Sequence, residues 1–101
     1  MSVVRSTRND VDVIRVEGRF DFAAHRDFRE AVKAAVANAQ ATAIEIDLGG
    51  ADYIDSSALG MLLLSLENAK AAGKALALTR PQGAVKQVLD IANFQRIFVI
   101  K

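Results

Sequence analysis

The sequence predicts an α/β domain: a mixed, mostly parallel sheet of about five strands with about three helices packed against it. Three observations carry this. The apolar spacing switches repeatedly between the two-residue period of a strand and the three- and four-residue period of a helix. The apolar runs are short, and Gly, Pro, Asn or Asp punctuates them. The segments follow the order β-β-α-β-α-β-α-β, which places crossover helices between neighbouring parallel strands. The 101 residues are one domain's worth, with no repeat, linker or low-complexity tract, so a single domain over 1–101 is expected.

Each element has its own signal. Val11, Ile14 and Val16 form a strand that precedes Gly18, and Val3-Val4 pairs with it across a turn at Asn9-Asp10. From Phe20 the period changes. Phe28, Ala31, Val32, Ala35, Val36 and Ala39 recur at helical spacing, with Arg26, Arg29, Glu30 and Lys33 on other faces. That spacing predicts an amphipathic helix of about five turns, bounded by residues 38–42. Ala43-Ile44-Glu45-Ile46-Asp47-Leu48 then alternates as a strand and stops at Gly49-Gly50. A second helix is predicted over 57–72, with Gly73 capping its end. Residues 75–78 read as a further strand, halted by Pro81. Val85, Val88, Leu89 and Ala92 mark a third helix, which Asn93 closes in a left-handed turn. Residues 97–100 form the last strand.

Composition excludes several classes of function. The net charge is +1, with acids and bases interspersed, and the basic cluster from Arg5 to Arg8 is broken by Ser6 and Thr7. No dense phosphate-binding stripe results, so no nucleic-acid partner is expected. The absence of cysteine excludes disulfides, thiol catalysis and zinc–thiolate sites. The first five residues lack the apolar core of a signal peptide. The longest nearly apolar run, residues 58–66, is far short of the roughly 20 residues that span a bilayer. A cytoplasmic protein without membrane insertion is expected.

The most informative stretch is Asp52-Tyr53-Ile54-Asp55-Ser56-Ser57-Ala58-Leu59-Gly60, where a strand ends and a long apolar helix begins. Asp55 or Ser56 is placed to cap that helix, since either side-chain oxygen can accept from a free first-turn amide. A helix start also tolerates anions, so phosphate on Ser56 would change surface charge and bulk while the fold survives. Along the helix, Leu59, Leu62, Leu63 and Leu66 form a stripe sufficient to dock it on the sheet. Met61 and Leu64 project to the other side, near Ser57 and Gly60, and a helix apolar on both sides requires burial all round or a partner. Small Ala58 and Gly60 let another chain approach closely.

Asp21, Asp47, Asp52 and Asp55 invite an enzymatic reading, since paired acids do acid–base work or hold magnesium. Asp52 and Asp55 equally suit a turn and a cap, and Asp21 suits the cap of helix one. The paired acids that a phosphoacceptor receiver domain needs after its first strand are missing. His25 is alone, Ser56 is not in a Gly-x-Ser-x-Gly elbow, and no Walker or Gly-x-Gly-x-x-Gly loop occurs. Gly49-Gly50 reads as a turn and not as a phosphate cradle. Neither catalysis, a metal nor a cofactor is expected.

Ile46-Asp47-Leu48 followed by Asp55-Ser56-Ser57-Ala58-Leu59-Gly60 resembles the signature of the STAS domain, the fold of bacterial anti-sigma factor antagonists. The resemblance covers nearly the whole chain. Gly18-Arg19-Phe20-Asp21 is similar to the turn before that family's first helix, usually Gly-Glu-Leu-Asp. Val88-Leu89-Asp90-Ile91 followed by Asn93-Phe94 is similar to its last helix and the approach to its last strand. The resemblance implies a partner switch. Ser56 holds the position phosphorylated by a serine kinase that is often itself the anti-sigma factor. The unphosphorylated antagonist binds that kinase and frees a sigma factor, and a serine phosphatase resets it. Ser57 then assists capping or contact, and Asp21 and Asp55 hold acidic positions beside the site. Asp52, Ala58, Gly60, Met61 and Leu64 complete the expected contact surface of a protein that is monomeric when free. Ala58 departs from the family's commoner Gly. Arg19-Phe20-Asp21-Phe22, with His25 and Phe28, resembles a sub-branch linked to motility and surface attachment in some Gram-negative bacteria. The competing expectation is a non-switching STAS accessory subunit of a lipid-transport ABC complex, using the same surface permanently.

Overall fold

A computed structural model describes residues 2–101. The elements are β1 (Ser2–Arg8), β2 (Val11–Phe20), α1 (His25–Ala37), β3 (Ala43–Ile54), α2 (Ser56–Ala71), β4 (Ala75–Thr79), α3 (Gly83–Ile91) and β5 (Val99–Ile100). Short 3-10 turns at Phe22–Ala24 and Phe94–Arg96 lead into α1 and β5. The strands lie side by side in sequence order. β1 and β2 are antiparallel across the Asn9-Asp10 turn, and every later pair is parallel. The expected mixed, mostly parallel sheet with three helices is therefore present.

Strand alternation builds one core. Ile14 and Val16 of β2, Ile44, Ile46 and Leu48 of β3, and Leu76 and Leu78 of β4 face Phe28 and Val32 of α1, Leu62 of α2, and Val85 and Leu89 of α3. The intervening strand residues carry charge: Asp47 pairs with Arg80 at 2.8 Å and Arg15 at 3.5 Å, and Lys101 pairs with Glu45 at 3.2 Å. Arg80 stabilises the ionised carboxylate. Burial pushes the Asp47 carboxyl up, but the bonds from Arg80 and the Gly49 amide outweigh it and hold the group below its usual range.

Four boundaries differ from expectation, each for a tertiary reason. Helix one has 13 residues and not about five turns. It ends at Ala37 because Asn38 turns to donate its side-chain amide to buried Asp12 at 3.1 Å, while Lys74 Nζ takes the carbonyls of Ala35 and Asn38 at 2.9 and 2.6 Å. β2 runs through Gly18, whose φ of 81° accommodates a register shift against β3. β3 runs through Gly49-Gly50 to Ile54. A Cβ on Gly49 would sit 2.7 Å from the Arg80 guanidinium, and one on Gly50 would sit 2.9 Å from Cγ of Glu17. These glycines make room for crossing side chains and do not form a turn. The last strand contains only Val99 and Ile100, because Arg96, Ile97 and Phe98 close back by amide bonds onto Asn93 and Phe94. The left-handed closures at Gly73 (φ 71°) and Asn93 (φ 59°) stand as expected.

Candidate partner-binding site at the start of the second helix

The register of β2 against β3 pairs Phe20 with Ile54, and the Asp55 amide donates to the Phe20 carbonyl at 3.3 Å. Two acidic turns are thereby brought to one end of the sheet. Asp21 is extended and accepts from the Ala23 amide at 3.0 Å, which starts the 3-10 turn ahead of α1. Asp55 is extended and caps α2, accepting from the Ala58 amide at 2.9 Å and from the Ser57 hydroxyl at 2.7 Å. The Ser57 hydroxyl, helped by backbone amides and only partly opposed by burial, holds the Asp55 carboxyl below its usual range. Between the two alternatives the sequence left open, Asp55 is the cap. Ser56 is the first residue of α2, stands exposed, and takes no part in the cap bonds. Its hydroxyl is free to react or to be covered.

The other residues singled out in the sequence divide between surface and core. Gly60 is exposed, with nothing within 4 Å of an added Cβ. Leu64 is 57% exposed, and Met61 is half-buried against the edge of the core. Ala58 is fully buried, so its small side chain faces the sheet and lets α2 sit close to it. Asp52 is an exposed strand residue of β3 and not part of a turn. The docking stripe of α2 is Ala58, Leu62, Ser65 and Ala69, so of the predicted leucines only Leu62 lies in it. Small residues win the buried face because the helix packs closely, and the Ser65 hydroxyl satisfies itself by donating to the Leu62 carbonyl at 2.6 Å. Leu59 and Leu66 flank this stripe half-buried, and Leu63 is exposed.

The packing of α1 beside α2 leaves a groove of about 370 Å³. Phe28, Val32, Met61 and Leu64 form its apolar lining, and Ser57 stands at the Ser56 end. Phe22, 70% exposed, stacks on His25 with ring centroids 5.6 Å apart at the same groove. Sequence reasoning noted Phe22 and His25 as unusual but did not place them in the contact surface. Their three-residue spacing was the available signal. Beside the site, the Arg19 guanidinium lies 3.8 Å over the Tyr53 ring, with its Nε 3.5 Å from Asp21. Among the described residues, no group of three or more His, Asp or Glu side chains is arranged to hold a metal ion, and no helix is long and apolar enough to cross a membrane.

A family model described as "Mlab, STAS domain" matches residues 3–100. The chain belongs to the STAS domain family. A STAS-domain containing protein of Pseudomonas aeruginosa is 40% identical over 87 residues, covering 86% of this STAS domain and 84% of the relative. Among solved structures, an anti-sigma factor antagonist from Mycobacterium paratuberculosis is similar with a TM-score of 0.86 at 19% identity, over 98% of this chain and 83% of that one. The anti-sigma factor antagonist SpoIIAA in its unphosphorylated form matches with a TM-score of 0.76 at 21% identity, over 99% of this chain and 87% of that one. At these identities the structural matches establish the STAS fold.

Proposed function

We propose that this STAS domain is an anti-sigma factor antagonist working by partner switching. In this reading the unphosphorylated form binds an anti-sigma factor that is also a serine kinase and frees a sigma factor. Phosphorylation at Ser56 releases the complex, and a serine phosphatase restores the binding form. The domain is thus a substrate and binding partner in the cytoplasm and not itself an enzyme. The observation that carries the reading is the division of labour at the start of α2: Asp55 makes the cap, so Ser56 stands exposed beside an apolar groove with no structural duty.

The chemistry follows from that position. A phosphate on Ser56 brings a charge of about −2 next to the Asp55 carboxylate. Any partner covering it would have to desolvate both charges, which is costly unless each is paired. A penalty of about 1.4 kcal/mol weakens binding tenfold, so a modest cost suffices to change partners.

The test is a pull-down from the native host with Ser56→Ala and Ser56→Asp baits, read by mass spectrometry. A histidine-kinase-like serine kinase or anti-sigma factor held by the alanine bait and lost with aspartate is expected. Transporter subunits recovered equally on both baits would instead make the domain a constitutive adaptor of a lipid-transport complex.

A further inference from the structure

The groove between α1 and α2 has one charged wall. Arg26, Arg29, Glu30 and Lys33 of α1, with His25, line a shallow depression, and Asp27 pairs with Arg26 at 3.9 Å, which leaves Arg29 and Lys33 to carry its positive charge. His25 and Arg29 belong to this depression and to the apolar groove alike, so cationic and apolar surfaces are continuous. Among the described residues, neither Arg29 nor Lys33 makes an ion pair. On the opposite wall, α2 carries no charge from Ser56 to Leu66.

The shape selects the form of the occupant. Both walls are helices whose backbone groups are bonded internally, so an extended peptide would find no partners there for its own amides and carbonyls. A helix satisfies its own backbone and needs only side-chain contacts. Ser57, Gly60, Leu64 and Asn68 follow one another along the groove at helical spacing. They give a track about 16 Å long, room for roughly three turns of a partner helix. Gly60 leaves a hollow about one turn from the Ser57 end, suited to an inserted apolar side chain. A second copy of this chain is a poor occupant, because a two-fold contact would set the same cationic face against itself. A bilayer is a poorer occupant, because Phe28 and Val32 lie buried at the floor of the groove and only Phe22 and Leu64 stand out from it.

We infer that the α1–α2 groove receives an acidic amphipathic helix of the partner protein, with its apolar stripe on Met61 and Leu64 and its carboxylates facing Arg29 and Lys33. This rests on the partner-switch reading for the partner being a protein, and it adds which surface and what chemistry recognise it. Because Ser57 borders the groove, a phosphate on Ser56 would stand at the end of the bound acidic helix and repel it.

The probe is a phage-displayed library of helix-forming peptides about 16 residues long, roughly 24 Å of helix, with Leu at one face and Glu, Lys or Ser randomised at its flanks. Panning on the purified domain should enrich Glu-flanked sequences, with amide shifts in NMR spectra confined to the facing surfaces of α1 and α2. Leu64→Glu and Arg29→Glu change exposed residues, so both variants should melt like the parent. Each should bind the selected peptide about tenfold or more weakly, and Arg29→Glu should transfer the preference to Lys-flanked peptides. Absence of an acidic preference, shifts away from the groove, or a concentration-dependent dimer with no peptide selected would each overturn the inference. The two proposals fail separately. A selected peptide that binds Ser56→Asp equally well leaves the groove in place and sinks the switch. Host-dependent phosphorylation of Ser56 with no peptide selected leaves the switch and sinks the groove.

Discussion

Ser56, Ser57 and Asp55 are three adjacent polar residues with three different duties, and the difference lies in which oxygen meets an amide. Asp55 accepts from Ala58 and Ser57, so it satisfies donors that α2 would otherwise leave unpaired. Replacing it by alanine orphans those donors in the partly buried first turn. Asp55→Ala should therefore cost about 1 to 2 kcal/mol. In a domain of this size each kcal/mol lowers the melting midpoint by about 4–8 °C. Ser56→Ala removes an exposed hydroxyl with no cap bond and should stay within about 0.5 kcal/mol of the parent. Calorimetric melts of the two variants check both values. A Ser56→Ala variant destabilised as much as Asp55→Ala would give Ser56 a structural role and remove the reason for calling it a free acceptor.

At the scale of the element, α2 carries a local cost at Gly60. Gly60 lies in its interior at an exposed position, where a Cβ would meet nothing, so glycine weakens the helix with no steric need. Gly60→Ala should stabilise the isolated domain by about 0.5–1 kcal/mol, visible as a raised melting midpoint. The same methyl would fill the hollow of the groove and weaken a docked partner helix. An unchanged or lowered midpoint would mean that the backbone at Gly60 is not that of an ordinary helix. The elements show what a sequence makes legible and what it does not. Helix and strand order, the Gly73 and Asn93 closures and the place of Ser56 at the start of α2 follow from local periodicity and turn chemistry. The passage of β3 through Gly49-Gly50 does not, because Arg80 and Glu17 create the need for glycine and reach it only in the folded sheet. The small-residue stripe of α2 was readable in the spacing of Ala58, Leu62, Ser65 and Ala69. It was obscured by Leu59, Leu63 and Leu66, whose bulk suggests burial while close helix–sheet packing leaves them at or beyond the flanks. The α1–α2 groove needed both helices in place before Phe22, His25 and Arg29 could be seen to share it.

The whole molecule is held by networks that lie apart from the exposed start of α2. Asp12 is fully buried and bonded by Thr7 at 2.6 Å, Arg5 at 3.0 Å and Asn38 at 3.1 Å, tying the β1–β2 hairpin to the end of α1. Burial alone would raise its carboxyl, but these partners outweigh burial and keep it below the usual range, hence ionised. Asp47 does the same between β2, β3 and the segment after β4. Neither network includes Ser56, which lies outside the buried core cluster. A phosphate at the first residue of α2 thus meets exposed surface and favourable helix-end amides on one side, and the Asp55 charge on the other. None of these contacts requires the sheet to move. Crystal structures of this domain with and without phosphate on Ser56 should superpose throughout the sheet and all three helices, with differences limited to side chains around Asp21, Asp55 and the groove mouth. A refolded or displaced α2 would replace local electrostatics with a conformational mechanism, and partner loss would then have to be explained by shape and not by charge.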